Sequence, residues 1–340
     1  MKYYAPNTDR IFELTEKTLP LYSNSWLIPL EHFPEIKPNS SIKDGFQYVW
    51  DSVSLSAYQK CPRYYNWTIR DGYHLYPSPT TLTFGIHFHT CMETWHKLLA
   101  TGLSKEEALL RCTKLALLLG ESLPNSRKER TKETLTRAVV WYLDQFKTDN
   151  AETTLQSNNL PAVEYSFKLP LFEIFGIKLY ISGHIDRIVN FLGDIYITDY
   201  KTTKLTLDEK FFASFKPNTQ VANYLLAAKI LAGTTTAIPS EPKGIIIDGI
   251  QLGVNFNRFS RSIINYSTME IESHIKDLES TLIHATIDAQ NNHFPANPAS
   301  CVNQYGKCVF HEICSSTPAK HARMLKSSFV QSTWDPNSPR

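Results

Sequence analysis

No run of eighteen or more apolar residues occurs in the 340-residue chain, so the sequence predicts no membrane-spanning helix. The opening MKYYAPNTDRIFELTEK has no apolar core of the secretory kind, which points to a cytoplasmic protein with reduced thiols. Neither sign of charge dominates: 35 Lys and Arg stand against 33 Asp and Glu, a formal net charge of +2. That balance neither demands nor excludes a nucleic-acid partner, because a local basic groove is invisible in a total. There is no Gly-x-x-x-x-Gly-Lys-Ser/Thr loop to cradle a triphosphate, so no helicase motor is encoded here. Paired Cys-x-x-Cys knuckles, the usual zinc signature, are missing as well, and so are internal repeats and low-complexity tracts. What is present, 42% hydrophobic and 20% charged residues, is ordinary for a soluble chain that folds as one large domain or two smaller ones.

Residues 1–50 mix prolines and polar residues with short apolar runs such as Trp26-Leu27-Ile28 and read as an irregular or partly helical lead-in. From about 316 to 340 the chain is rich in Ser, Pro and Lys and reads as a flexible tail. Between them the hydrophobic period changes several times. Ser104 and Glu107 have capping-box spacing ahead of an apolar stripe that predicts a helix to 119. A second stripe predicts a helix over about 132–146, and these two form most of a helical insertion at about 97–150. Strands are predicted at 163–169, 179–191 and 194–201, the last two joined by the turn signal Leu192-Gly193-Asp194. A helix at about 217–232, a strand at 244–252 and a capped helix from Ser267 to about Asn291 complete an α/β pattern, a small mixed β-sheet flanked by helices.

The segment Gly183-His184-Ile185-Asp186-Arg187 and the segment Asp199-Tyr200-Lys201 lie on either side of that turn. If the strands pair around Gly193, Asp186 and Asp199 stand at similar distances from the turn, close enough to share a divalent cation. Lys201, two residues after Asp199, projects from the same face of its strand. Cation, positioned water and ammonium are what phosphodiester hydrolysis needs. Taken alone, an Asp-x-Lys is more often a solvated strand end.

The conjunction Gly-x-x-Asp-Arg, hairpin, Asp-Tyr-Lys-Thr-Thr-Lys resembles the core of the RecB-like branch of the PD-(D/E)XK nuclease superfamily. The resemblance implies a restriction-endonuclease-like core over residues 51–315. It implies Asp186, Asp199 and Lys201 as catalytic residues, with Mg2+ or Mn2+ on Asp186, Asp199, the Tyr200 carbonyl and a helical histidine. Gly85-x-x-x-His89-x-x-x-Glu93 is similar to the family's histidine segment and selects His89 over His87. Glu93 is then either a support for that histidine or a plain helix residue. Gln220-x-x-x-Tyr224 resembles the motif that marks RecB-like nucleases, implied to orient DNA and support the site. Glu164 falls where the family often carries an acidic residue before the hairpin.

Cys301, Cys308 and Cys314 cluster some 240 residues after Cys61. Three thiols in a short tract plus one distant fourth suggest metal ligation. Ser-x-Ser-x-x-x-x-Cys-Pro before the core and a cysteine triplet after it resemble the iron–sulfur staple of AddB-type and CRISPR-associated nucleases, although the first gap of the triplet is wider here, six residues. The resemblance implies a structural 4Fe-4S cluster on Cys61, Cys301, Cys308 and Cys314. Cys91 and Cys112 read as small apolar helix residues. Tyr58, Tyr64, Tyr65 and Trp67 either stack bases or belong to the core.

The expectation is a stand-alone exonuclease acting on single-stranded DNA or DNA ends in recombination, repair or phage DNA metabolism, with a helicase or recombination partner supplying any unwinding. The competing expectations are a non-catalytic DNA-binding scaffold subunit of the same fold and a zinc protein without nuclease activity.

Overall fold

The computed structural model describes residues 41–75, 79–124, 129–303 and 306–336, together with the backbone of 2–5, 10–13 and 28–29. Strand β1 (Val49–Trp50) leads into α1 (Ser52–Lys60), and three helices follow: α2 (Thr80–Ala100), α3 (Lys105–Leu119) and α4 (Lys132–Gln145). Next come β2 (Ala151–Thr153), β3 (Val163–Ile174), β4 (Ile177–Phe191), β5 (Asp194–Thr203) and α5 (Thr219–Leu231). The chain continues through β6 (Gly244–Leu252), β7 (Asn257–Ile264), α6 (Thr268–Gln290) and α7 (Pro318–Ser328).

The centre of the sheet is set by a two-residue turn. Leu192 and Gly193 both have positive φ, 56° and 93°, as the tightest hairpin loops require. Around them β4 and β5 pair antiparallel with Arg187 opposite Thr198 and Phe191 opposite Asp194. That register puts Asp186 opposite Asp199. The sheet runs β7-β6-β5-β4-β1, with β2 and β3 also pairing with β4. The β5–β6 and β4–β1 pairs are parallel, so the sheet is mixed.

Every residue of β6, Gly-Ile-Ile-Ile-Asp-Gly-Ile-Gln-Leu, is buried, because helices cover both faces. On one side Ile185, Ile197, Ile245 and Ile247 pack with Leu55, Leu225 and Leu282 from α1, α5 and α6. On the other, Tyr200, Ile250 and Leu252 meet Phe88, Met92, Leu135 and Tyr142 from α2 and α4. Each fully buried side chain of this size contributes about 1.5–3 kcal/mol. Cys91 and Cys112 are packed in this second core as expected. Helix starts follow the sequence signals: Ser104 Oγ accepts from Glu107 N at 3.2 Å, and Ser267 with Glu270 forms a full capping box.

Two expectations need correction, and one open alternative is resolved. Within the lead-in, the described backbone is strand rather than helix: 2–5 pairs with 10–13 and with 28–29. Trp26, Leu27 and residues 30–40 lie outside the described residues. The supposed tail from 316 folds as α7, and Val330–Gln331 then pairs with Tyr73–His74. Composition concealed this because few apolar residues do the holding. Leu325 is buried beside Phe310, Phe329 stacks on Phe310 at 4.7 Å, and Trp334 Nε1 donates to Asp51 Oδ2 at 3.0 Å. Residues 337–340 lie outside the described residues. Finally, Tyr58, Tyr65 and Trp67 are buried, so they cannot stack on bases. Tyr65 stacks on Trp50 at 5.2 Å, Tyr58 OH donates to Asp288 at 2.6 Å, and the half-buried Tyr64 lies edge-on to Phe310.

Candidate active site

Asp186 of β4 and Asp199 of β5 sit beside one another at the end of the paired stretch, where α2 approaches from one side and α5 from the other. Asp186 Oδ2 accepts the Tyr200 backbone N–H at 2.8 Å and lies 3.3 Å from His89 Nδ1. The other ring nitrogen of His89, Nε2, lies 2.8 Å from the Tyr200 carbonyl oxygen. Both nitrogens therefore face acceptors, which the imidazolium form satisfies. Burial alone would push the His89 pKa down, but the Asp186 carboxylate outweighs it and the pKa is pushed up to about 9. Burial likewise works against ionised Asp186, and the His89 charge overcomes it, holding the carboxyl below its usual range. Asp199 goes the other way: burial raises it in spite of Lys201.

Lys201 Nζ lies 2.7 Å from Asp199 Oδ2 and donates to Gln220 Oε1 at 2.8 Å. Gln220 is in the first turn of α5, a helix started by Asn218, whose side chain accepts from Val221 N. The amide of Gln220 donates in turn to the Tyr224 hydroxyl at 3.2 Å. Tyr224 is buried against Gly183, where a Cβ would come within 2.9 Å of its ring.

Glu164, at the start of β3 with a positive φ of 45°, completes the group. One ligand atom each from His89, Glu164 and Asp186 lie within 4.8 Å of one another, the only such set among the described residues. Imidazole, carboxylates and a backbone carbonyl are a donor set that fits Mg2+ or Mn2+. Of the expected ligands, Asp199 lies outside that set, paired with Lys201, and Glu93 is set further apart. It forms an ion pair with Lys97 one turn further along α2. His87 bonds Ser122 Oγ at 2.7 Å and faces the exposed side of that helix.

Three neighbours were not anticipated: His96, Thr153 and Arg187, which hydrogen-bond in series next to Tyr200. The spacing of His96, two helical turns after His89, was visible in the sequence. Thr153 on the short β2 carried no signal.

The four remaining cysteines converge at a second place. Cys61, Cys301, Cys308 and Cys314 are free thiols lining one cavity with Arg63, Tyr64, Trp67 and Phe310. Asn297 N donates to Cys61 Sγ and Arg63 Nη1 to Cys314 Sγ, both at 3.3 Å. Burial and the nearness of the other three push the Cys301 thiol up. Among the described residues, no three of these sulfurs lie within 4.8 Å of one another. No helix of the described residues is long and apolar enough to cross a membrane.

Residues 52–315 match the sequence model of the PD-(D/E)XK nuclease superfamily. No curated protein matches the chain. A crystal structure of a candidate exonuclease from Eubacterium rectale aligns with a TM-score of 0.46 at 10% identity, over 85% of this chain and 94% of that one. The structure of SSO0001 aligns with a TM-score of 0.29 at 15% identity, over 70% of this chain and 95% of that one.

Proposed function

This chain belongs to the PD-(D/E)XK nuclease superfamily, and on that footing we propose that it is a Mg2+- or Mn2+-dependent deoxyribonuclease, an exonuclease taking single-stranded DNA or DNA ends. The observation that carries the reading is the convergence of His89, Glu164 and Asp186, with the Tyr200 carbonyl against His89, beside an Asp199–Lys201 pair whose ammonium is fixed on two sides. Those three side chains and the carbonyl, with Asp199 next to them, would hold the cation, which supplies charge neutralisation and a more acidic water. Lys201 orients that water and offsets charge developing on the phosphate. Its position depends on Gln220, whose carbonyl end is turned toward Lys201 because its amide end donates to Tyr224.

The cysteine cavity fits a 4Fe-4S cluster better than zinc. Tetrahedral zinc, with Zn–S near 2.3 Å, would draw the sulfurs to about 3.8 Å from one another, closer together than any three of them lie here. N–H donors to two of the sulfurs suit thiolates in a cluster. Joining Cys61 to 301–314, the cluster would act as a structural staple. The same reading puts the enzyme in the cytoplasm, in recombination, repair or phage DNA metabolism, with unwinding left to a helicase or recombination partner.

The test is degradation of end-labelled single- and double-stranded DNA by anaerobically purified protein with Mg2+, Mn2+ or EDTA, beside Lys201→Ala. Cleavage should need metal and fall about 10³-fold in the variant. A folded wild-type protein that cleaves neither substrate would instead be a DNA-binding scaffold.

A further inference from the structure

The three elements that carry the candidate ligands are tied to one another a second time, away from the ligands themselves. Neighbouring side chains of a strand point to opposite faces. Arg187 therefore turns away from Asp186, and Tyr200 away from Asp199 into the core under α2 and α4. Residues seven apart on a helix share a face, so His96 follows His89 along the side of α2 that lies over β5. These outward turns meet. Arg187 Nε donates to Thr153 Oγ1 at 2.9 Å, Thr153 Oγ1 is 3.3 Å from His96 Nδ1, and His96 Nε2 is 3.3 Å from the Tyr200 hydroxyl. Arg187 and Tyr200 are buried, while His96 and Thr153 are half-buried and line the adjoining cavity with Trp95 and Tyr142.

Burial, with Arg187 nearby, holds His96 well below the usual imidazole range and hence neutral. Arg187 can only donate, so Thr153 accepts from it, and the two nitrogens of His96 bond Thr153 on one side and the Tyr200 hydroxyl on the other in either neutral tautomer. The series links β4 through Arg187, β2 through Thr153, α2 through His96 and β5 through Tyr200. Tyr200 is the residue whose N–H holds Asp186 and whose carbonyl meets His89. Its ring, fixed at the hydroxyl by His96 and packed edge-on against Phe88 and Tyr142, sets the orientation of that peptide.

We infer that His96 is a positioning residue for the metal site: through the Tyr200 hydroxyl it clamps α2 to β5, so that His89, Asp186 and the Tyr200 carbonyl are already convergent before a cation arrives. The inference rests on reading the site as a metal centre. Its consequence is a loss of metal affinity when the clamp is cut, with no ligand removed.

The experiment is calorimetric titration of Mn2+ into the full-length, cluster-loaded protein without DNA, for wild type, His96→Leu, His96→Gln, Tyr200→Phe and the His96→Leu/Tyr200→Phe double variant. His96→Leu and Tyr200→Phe should each weaken Mn2+ binding about 10-fold, the lower end for residues that orient metal ligands. The double variant should lose no more than Tyr200→Phe alone, because that variant already removes the hydroxyl that His96, and Arg187 beside it, bond. Glutamine keeps a donor at the same reach, so His96→Gln should stay within about threefold of wild type. Folded His96→Leu with unchanged Mn2+ affinity overturns the inference, as do losses that add in the double variant. If His96→Leu does not fold, Tyr200→Phe decides alone, and full affinity there overturns it equally. Wild type that binds Mn2+ but cleaves no DNA refutes the nuclease reading and leaves the clamp standing; wild type that binds no Mn2+ overturns both.

Discussion

His89 is asked to do two things with opposite proton requirements. In the cation-free site it is an imidazolium between the Asp186 carboxylate and the Tyr200 carbonyl, with its pKa pushed up to about 9. A metal ligand must be neutral, so cation binding has to expel that proton. Apparent Mn2+ affinity should therefore climb with pH, by up to about tenfold per unit, and level off above about pH 9. Titrations between about pH 6 and 10 check this, and an affinity that does not change with pH would count against it. Stability of the metal-free protein should run the other way. A raised folded-state pKa stabilises below the unfolded value of about 6.5 and is lost as pH rises through about 9. The position of His89 was legible because Gly85-x-x-x-His89-x-x-x-Glu93 distinguishes it from His87, and the two do point to different surroundings. The aromatic residues around Cys61 were not. Whether Tyr58 and Tyr65 are buried depends on Asp288 and Phe294, more than 220 positions away, and no local pattern encodes that.

At the scale of elements, the hairpin was the most legible part, since a single Leu192-Gly193 turn fixes which residues of two long strands face each other. Capped helices were legible for the same local reason. Strand β7 and helix α7 were missed. Asn257–Ile264 does not alternate cleanly, and α7 buries only Leu325 fully, so neither has much period to read. Gly183 lies where two elements meet. A Cβ there would come within 2.8 Å of the Phe167 ring and 2.9 Å of the Tyr224 ring. Gly183→Ala should therefore cost about 1–3 kcal/mol as an overpacked contact. By displacing Tyr224 it should also release Gln220 from Lys201 and lower cleavage. Urea unfolding beside the nuclease assay tests both parts, and unchanged stability would mean the two rings yield freely.

At the scale of the whole molecule, residues 51–74 and the segment from 301 onward are fastened together around the cysteine cavity. The segment after α7 supplies the Phe329–Phe310 stack, the Trp334–Asp51 bond, the Ser332–Gly72 backbone bond and a carbonyl at Pro336 for Ser182. Asp51 is buried, its carboxyl raised by that burial, so it depends on its remaining donors. Deleting everything after Ser328 should lower the melting temperature by about 5 °C or more, at roughly 2–4 °C per kcal/mol for a chain of this size. If the proposed 4Fe-4S cluster is bound, it should also bleach faster in air, since Phe329 packs on the same apolar cluster as Cys308 and Cys314. A truncated protein that melts and bleaches like the full chain would show the fastening to be incidental. None of these contacts was legible in the sequence, because most join residues more than 150 positions apart whose types are unremarkable one by one.

The same fastening imposes an order in time. Cys61 leaves the ribosome 240 residues ahead of Cys301, and at about 5–20 residues per second the interval is about 12–50 s. Throughout it the nascent chain carries an unligated thiol and a seam of tyrosine and tryptophan rings whose covering residues have yet to be translated. The central hairpin and α5 emerge during that wait, so the hydrolytic groups are assembled first and the clasp closes last. A ribosome stalled between the two cysteine groups would hold a nuclease core that is open at its oldest end.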